Sequence, residues 1–391
     1  MADPEHPRLI IRNFLSIDEC KELEFIHKSC STVGYRPNVF STTLSHLIAT
    51  NSFHLIIPFV RIRERLKDKL EEFFGCEYEL FVEFTGLISW SRGASIGWHS
   101  DDNRPYLKQR DYAAVCYLNS YGRDFSGGLF HFQDGEPTSI MPMAGDVVMY
   151  TADCRNIHSV DEIIDGERLT LTLWFSRDSS HDEDAKLISL LSQNLLRDNK
   201  ADSCLPLPAS GNMYWFSVEQ TSNEQLGFNI CWARLHVLGY DTYISEADGC
   251  DSDVSELLVK PVQLVRNNEM LDLEFVNILH ALQVVHFFCW KASALRTREV
   301  TRDIKVVELS DMQRQKINSL KSVVLNDHDL AASFFCSIPS KKSSCIRFDW
   351  TGIMAAVDAW GDYTSKLIEQ IHLQLPHWRT HQSIYSVQLG E

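Results

Sequence analysis

The fold is decided by the stretch Gly97-Trp98-His99-Ser100-Asp101, read together with the residues that follow it. In an extended strand, residues i and i+2 point to the same side, so His99 and Asp101 are predicted to reach one metal ion. A metal held on one face by two histidines and one carboxylate keeps its other coordination positions open, as in non-haem iron sites. A second histidine must therefore come from elsewhere in the chain.

His158 is the predicted third ligand. A His-x-Asp pair carries little weight by itself, because a chain with 15 histidines among 391 residues is expected to contain about one by chance. His158 and Arg168 lie on β-rich segments around the turn Asp165-Gly166, which predicts a hairpin that brings both side chains into one barrel interior. A guanidinium is a forked, permanently charged partner for a carboxylate. Arg168 is thus predicted to anchor an acidic co-substrate, and Thr170 to add a hydroxyl.

Two helices are predicted before this region. Ser16 and Glu19 have the capping-box spacing that starts a helix. A second helix is predicted over residues 58–75, with an apolar stripe on one face and charged residues, Arg63 among them, on a solvated outer face. No helix or strand is predicted for residues 31–57, which are rich in Ser, Thr and Asn.

Short β-rich runs follow, with Gly, Asp and Pro turns between them. They cover residues 79–90, 112–119, 128–132, 146–151 and 168–175. Several short strands of this kind predict a barrel or a double-sheet jelly roll.

Composition excludes several classes of function. The net charge is −16, and the basic residues are not clustered, which argues against a nucleic-acid binder. The 11 cysteines include no C-x-x-C pair, which favours reduced thiols and a cytoplasmic protein, with the nucleus not excluded. The polar start lacks the pattern of a secretory signal, and the apolar stretch 271–290 is interrupted by polar residues, so the protein is predicted to be neither secreted nor membrane-spanning.

From Pro7 to about Arg177 the sequence resembles the prolyl 4-hydroxylase-like branch of the iron(II)/2-oxoglutarate dioxygenases. The resemblance rests on an opening segment and on motifs that occur in the family's order: residues 8–20, His99-x-Asp101, Tyr117-Leu-Asn, Gly127-Gly128, Pro142-x-x-Gly-Asp146 and His158. It implies an α+β protein with a double-stranded β-helix (jelly-roll) oxygenase core and N-terminal supporting helices. It also implies iron(II) bound by His99, Asp101 and His158, and decarboxylation of 2-oxoglutarate to succinate with ascorbate as the reductant.

The co-substrate pocket departs from the family pattern. Arg168 occupies the position of the family's 2-oxoglutarate lysine, and Trp90 stands where the family often has a tyrosine. The pocket is therefore expected to be built from Arg168, Thr170, Trp90 and a tyrosine, with Tyr117 and Tyr112 as the candidates.

The resemblance ends before the second half of the chain. The predicted organisation is a dioxygenase domain over residues 1–178, a connector over 179–208 and a C-terminal domain of unknown role over 209–391. This last region reads as mixed and largely helical. Its predicted elements are strands within 228–240, an acidic loop at 247–254, a buried helix at 271–290 and a helix at 350–373.

Two functions fit this sequence. The first is a hydroxylase that uses dioxygen to oxidise a C–H bond of a protein or peptide residue, or of a small specialised metabolite. The second is a catalytically silent sensor or interaction module with an oxygenase fold that acts through its C-terminal half. The intact metal set and Arg168 favour the first, and the sequence leaves the oligomeric state open.

Overall fold

The structure is a computed structural model. It describes residues 5–30, 33–36, 38–49, 52–196, 305–307, 346–348 and 350–387, together with Gln283, His286, Phe287, Trp290 and Lys291. Contacts divide the chain into two compact units. The first takes in Met1–His27, Thr32–Ser203 and Leu367–Glu391, and the second takes in Lys28–Ser31 and Cys204–Lys366.

The first unit is built on short antiparallel strands. They are β1 (Arg8–Ile11), β2 (Val33–Arg36), β3 (Val39–Thr43), β4 (Phe81–Ser91), β5 (Ile96–His99), β6 (Tyr112–Tyr117), β7 (Phe125–Gly127), β8 (Phe130–Phe132), β9 (Ser139–Ile140), β10 (Val147–Thr151), β11 (His158–Val160) and β12 (Ile163–Ser176).

These strands form two sheets that pack against each other. The larger has eight strands: along its main path the order is β1, β10, β6, β12, β4, β3 and β2, and β7 pairs with the start of β12. The smaller has four strands in the order β5, β11, β8 and β9. Side chains of both sheets pack between them, including Phe130 and Phe132 of β8 and Tyr150 of β10. The predicted double-stranded β-helix is confirmed.

The helices whose bounds are described are α1 (Ile17–Ser29), α2 (Leu44–Ala49), α3 (Ile57–Phe74), α4 (Glu183–Leu196) and α5 (Trp350–His381), with short 3₁₀ turns at Phe53–Ile56, Pro105–Leu107, Cys154–Asn156 and Ser179–His181. Of these, α2 contacts β3 and α4 contacts β4 of the larger sheet. The predicted capping box starts α1: Ser16 N donates to Glu19 Oε2 at 2.8 Å, and Glu19 N donates to Ser16 Oγ at 3.2 Å. The second predicted helix is also confirmed, and Gly75 ends it in the left-handed conformation at φ 61°.

The segment 31–57 contains regular structure that the sequence did not indicate. Its described residues form β2, β3 and α2, and β3 pairs with β4 so that Val39 lies opposite Trp90. Short strands rich in Ser and Thr show little hydrophobic periodicity, and their formation depends on the neighbouring strand. They therefore extend the larger sheet on the side that carries Trp90.

The prediction that Arg63 lies on a solvated helix face is wrong. Its side chain is only 2% exposed, its Nε donates to Thr85 Oγ1 at 3.0 Å, and its Nη2 contacts the carboxylates of Glu183 and Asp184. Helical spacing of i to i+4 from Phe59 puts Arg63 within the apolar stripe of α3, on the side that faces β4. The two carboxylates arrive from α4, a partner that the local sequence cannot reveal.

The end of the chain also belongs to the first unit. Ile384 N donates to Asp184 Oδ2 at 2.7 Å, and Trp378 Nε1 donates to the carbonyl of Tyr385 at 2.6 Å. Trp378 and Ile384 are both buried. The segment after residue 367 therefore completes the surroundings of the buried Asp184 carboxylate.

Part of the second unit is described. The ring of Phe287 contacts those of Trp290 and Tyr363, and β13 (Lys305–Val307) pairs with β14 (Ile346–Phe348). The predicted helix at 350–373 is confirmed by α5. The predicted strands at 228–240, the loop at 247–254 and most of the helix at 271–290 lie outside the described residues.

Among the described helices, none is at once long enough and apolar enough to cross a membrane.

Candidate metal centre and co-substrate pocket

The three predicted metal ligands meet on the inner side of the smaller sheet. His99 ends β5, His158 begins β11, and the two residues pair directly across these antiparallel strands. The ligand atoms of His99, Asp101 and His158 all lie within 4.8 Å of one another. One metal ion can therefore be held by all three side chains.

Asp101 reaches this site from a turn. β5 ends at His99, so the predicted strand geometry, with Asp101 at i+2 on the same strand, is wrong. The turn is held to the rest of the barrel by its backbone, because Asp102 N donates to the carbonyl of Ala152 at 3.1 Å. The carboxylate of Asp102 accepts hydrogen bonds from Ser100 and Lys108.

Backbone carbonyls orient both histidines. His99 Nδ1 lies 2.8 Å from the carbonyl of Gly97, and His158 Nδ1 lies 3.0 Å from the carbonyl of Asn156. A carbonyl oxygen only accepts hydrogen bonds, so each Nδ1 carries the proton and each Nε2 keeps its lone pair for a metal. The ring centroids of the two histidines are 4.3 Å apart.

Aromatic packing fixes His158 further. Its ring stacks on Phe130 at 4.9 Å with an interplanar angle of 11°. Burial lowers the pKa of His158, although the negative charge of Asp101 acts in the opposite direction. A neutral imidazole is the form that binds a metal.

Tyr150 is a member of the site that sequence reasoning missed. Its hydroxyl donates to Asp101 Oδ2 at 3.0 Å and lies 3.4 Å from His158 Nε2. Burial raises the pKa of Tyr150 well above the ordinary value, as does the neighbouring Asp101, so the phenol keeps its proton and acts as a donor. The only sequence signal is its position in the apolar run of β10, which by itself indicates a core residue.

Arg168 lies on the larger sheet. The predicted hairpin between His158 and Arg168 is wrong, because the chain turns at residues 161–162 and Gly166 is inside β12. The two side chains therefore come from opposite sheets, which face each other across the interior. The guanidinium of Arg168 is 5.2 Å from the ring centroid of Tyr117 and 5.7 Å from that of Trp90.

The motif Tyr117-Leu-Asn holds the backbone on both sides of Arg168. Asn119 Nδ2 donates to the carbonyl of Glu167 at 2.6 Å, and Asn119 Oδ1 accepts from Leu169 N at 3.0 Å. Gly128 lies against the arginine stem: a Cβ at this position would be 3.3 Å from Arg168 Cδ and 2.2 Å from Ile163 Cδ1. Both motifs therefore support the backbone and the side-chain stem of Arg168.

Two buried polar atoms at this end of the interior have no hydrogen-bond partner among the described residues. They are Arg168 Nε and Tyr117 Oη. Burial raises the pKa of Tyr117, so its hydroxyl is a donor as well. A guanidinium with an unsatisfied Nε, next to a phenol hydroxyl with no hydrogen-bond partner by distance and angle in the described part of the chain, fits the distal carboxylate of 2-oxoglutarate.

The other predicted pocket residues differ in their fit. Thr170 is buried on the same strand face as Arg168, and its Oγ1 lies 3.3 Å from the carbonyl of Ile88, to which it donates. Its oxygen can still accept a bond. Tyr112 lies at the other end of β6 and its hydroxyl bonds Arg177, so between the two candidate tyrosines the geometry favours Tyr117.

A further wall of the interior contains Trp174. This residue lies opposite Ala113, which in turn lies opposite Tyr150, so Trp174 shares a cross-strand row with the tyrosine at the metal site. Arg110 covers the Trp174 ring at 3.6 Å and is held by Glu83 Oε2 at 2.8 Å. Trp174 Nε1 is buried and has no hydrogen-bond partner among the described residues.

Fold and site together define a non-haem iron oxygenase centre: two histidines and one carboxylate between the sheets of a double-stranded β-helix, with a buried arginine facing the same interior. A model of the 2OG-Fe(II) oxygenase superfamily matches residues 85–176, which contain all four of these side chains. This part of the chain belongs to that superfamily, and its triad and family imply iron(II) and 2-oxoglutarate.

Known relatives include prolyl hydroxylases. Prolyl 3-hydroxylase 1 of Gallus gallus is 25% identical over 217 residues, which cover 45% of this chain and 30% of that protein. The human 2-oxoglutarate and iron-dependent oxygenase domain-containing protein 3 is 33% identical over 171 residues, which cover 40% of this chain and 52% of that protein. The chain thus spans about a third to a half of the length of these curated relatives.

Among solved structures, a prolyl-4-hydroxylase from Pseudomonas putida is similar with a TM-score of 0.36 and 19% identity. The similarity covers 44% of this chain and 94% of that chain.

Proposed function

We propose that this protein is an active iron(II)- and 2-oxoglutarate-dependent dioxygenase that hydroxylates a C–H bond of its substrate. The observation that carries the proposal is the convergence of His99, Asp101 and His158, whose ligand atoms lie within 4.8 Å of one another. The two imidazoles are oriented by backbone carbonyls, and the buried Arg168 faces the same interior, so the groups that would bind iron(II) and 2-oxoglutarate are present together.

The chain's own residues have separate tasks in this reaction. His99, Asp101 and His158 would hold iron(II), which supplies the activation of dioxygen when it is bound. Arg168 and Tyr117 would bind the distal carboxylate of 2-oxoglutarate, because both donate hydrogen bonds and have atoms without a partner. The apolar walls formed by Phe130, Val115 and their neighbours exclude water from the space between these groups.

We further propose a peptidyl substrate, with a proline-containing segment as the first candidate and a small metabolite as the alternative. The named relatives include prolyl hydroxylases, which supports this order of testing. The aromatic wall at Trp174 also suits a peptide, because its indole N–H is a buried donor without a partner and a backbone carbonyl is a matching acceptor.

Succinate formation tests the proposal directly. The purified chain is incubated with iron(II), 2-oxoglutarate, ascorbate and dioxygen, with and without a library of proline-containing peptides, and succinate is quantified. We expect a low basal rate that rises with a substrate peptide, and a peptide product heavier by one oxygen atom. Ascorbate enters as the proposed reductant, so its omission is expected to reduce the number of turnovers.

The matched control is Asp101→Ala, which removes a metal ligand from a turn. Succinate at the same rate from this variant would contradict the proposed site. If the folded wild-type protein forms no succinate with any peptide or with metabolite extracts, the proposal of an enzyme fails and the sensor or interaction function gains support.

A further inference from the structure

Among the contacts described above, the side-chain hydrogen bond that connects the carboxylate ligand Asp101 to the larger sheet comes from Tyr150. Asp101 sits in a turn, so strand pairing does not fix the rotation of its carboxylate. Tyr150 lies on β10, opposite Ala113 in the middle of the larger sheet. Its hydroxyl donates to Asp101 Oδ2 at 3.0 Å across the interior.

The tyrosine ring itself is immobilised. It is 2% exposed, and its centroid lies 5.9 Å from Phe130, 5.5 Å from Phe132 and 5.0 Å from His158. Because the ring is packed on several sides, the hydroxyl cannot turn away without a rearrangement of the core. The position of Asp101 Oδ2 is therefore determined by a rigid group.

The two oxygens of Asp101 have different surroundings. Oδ2 is occupied by Tyr150, whereas Oδ1 lies 3.9 Å from His158 Nε2. A carboxylate with one oxygen hydrogen-bonded offers the other to the metal. A carboxylate free at both oxygens can bind a metal through both of them and occupy an additional coordination position.

We propose that Tyr150 is a positioning residue that keeps Asp101 a one-oxygen ligand and so preserves the open coordination positions that 2-oxoglutarate and dioxygen require. This inference rests on the proposed function. It predicts that removal of the hydroxyl changes how the metal is held and how 2-oxoglutarate chelates it, and not only the rate of turnover.

The test is Tyr150→Phe, which keeps the ring and removes only the hydroxyl. Iron(II) is titrated into the metal-free protein without dioxygen, and the charge-transfer absorption of the iron–2-oxoglutarate complex is then recorded. We expect iron(II) to bind roughly 10- to 100-fold more weakly, as is typical when a group that orients a ligand is lost. We also expect the charge-transfer band to be shifted or weakened.

Two further tyrosine variants provide the comparison. Tyr112→Phe loses a buried hydroxyl that contacts Arg177 and Cys76 but none of the three metal ligands. This variant should therefore bind iron(II) like the wild type. Tyr117→Phe should weaken 2-oxoglutarate binding while leaving iron(II) affinity unchanged. Circular dichroism checks that each metal-free variant is folded, and Tyr150→Leu takes the place of Tyr150→Phe if the latter does not fold.

The outcomes separate this inference from the proposed function. If the Tyr150 variant matches the wild type and Tyr112→Phe in iron(II) affinity and in the charge-transfer band, the positioning role is refuted while the enzyme proposal stands. A tyrosinate absorption with iron(III) that vanishes in the Tyr150 variant would show direct ligation and also refute it. If the folded wild type binds neither iron(II) nor 2-oxoglutarate, both proposals fail.

Discussion

His99 and His158 face each other in register across β5 and β11, with their imidazole centroids 4.3 Å apart. Each receives its orientation from the carbonyl two residues before it in the chain. Because the ligand pair is built into adjacent strands, the smaller sheet and the metal site form as one structure. A change at either histidine removes a ligand without removing the strand pairing.

His99→Ala should abolish metal binding and turnover. The loss of one ligand from a three-residue set leaves too few donors to hold the ion in a geometry with open positions. The protein should stay folded, because His99 is only half-buried and ends its strand. Calorimetric titration with iron(II) or manganese(II), together with succinate production, measures the effect, and near-normal values for both would rule out His99 as a ligand.

The residues of this site divide into those that sequence can predict and those that it cannot. His99, Asp101, His158 and Arg168 occur in an ordered pattern, so the sequence predicts the metal ligands and the fold class. It does not predict Tyr150, because a tyrosine in an apolar strand looks like any core residue until the partner of its hydroxyl is known.

The sequence and the structure differ where one residue depends on a distant one. The sequence predicts a strand that continues through Asp101, but the strand ends at His99 and a turn delivers the carboxylate. The charge of Arg63 predicts exposure, but two carboxylates of α4 allow its side chain to be buried. Both features are decided by tertiary contacts, which override local pattern.

Arg168→Ala should mainly raise the concentration of 2-oxoglutarate that is needed. Loss of charge-assisted hydrogen bonds costs roughly 1.5–3 kcal/mol, which corresponds to about a 10- to 150-fold weaker affinity. Arg168→Lys keeps the positive charge but loses the forked pair of hydrogen bonds. Its affinity for 2-oxoglutarate should therefore lie between those of Arg168→Ala and the wild type. Titration of 2-oxoglutarate against the iron(II) protein gives the affinity, and an unchanged value in Arg168→Ala would place the anchor elsewhere.

Arg63→Met should destabilise the protein without direct effect on the metal site. The substitution leaves the carboxylates of Glu183 and Asp184 buried with no cation, and the removal of one partner from a buried ion pair costs about 3–5 kcal/mol. The matched control is Arg61→Met on the exposed face of α3, where a change within about 0.5 kcal/mol is expected. Urea unfolding of both variants gives the difference, and equal stability would show that Arg63 is dispensable.

The stability of the wild type should depend on pH through Glu183. Burial raises the pKa of this carboxyl from 4.5 to about 7 in the folded state, although Arg63 opposes the shift. The native state then holds its proton to higher pH than the unfolded chain does, so the free energy of unfolding should decrease as the pH rises from about 4.5 to about 7. Below about pH 4.5 the contribution of Glu183 to the free energy of unfolding is fully present.

Glu183→Gln tests this dependence, because glutamine is neutral at every pH. The decline of stability over this range should become shallower in the variant. Part of it should remain, since burial also raises the pKa of Asp182 to about 6. Unfolding curves measured at intervals of pH give both slopes, and identical slopes for the two proteins would exclude Glu183 as the source.

The bond between Ile384 N and Asp184 Oδ2 joins residues that are 200 positions apart in the chain. During synthesis, the strands that carry His99, His158 and Arg168 leave the ribosome long before the segment that covers Asp184. The oxygenase unit is therefore expected to pass through a stage in which all its metal ligands have been synthesised while the Asp184 carboxylate still lacks the backbone N–H of Ile384 as a hydrogen-bond donor.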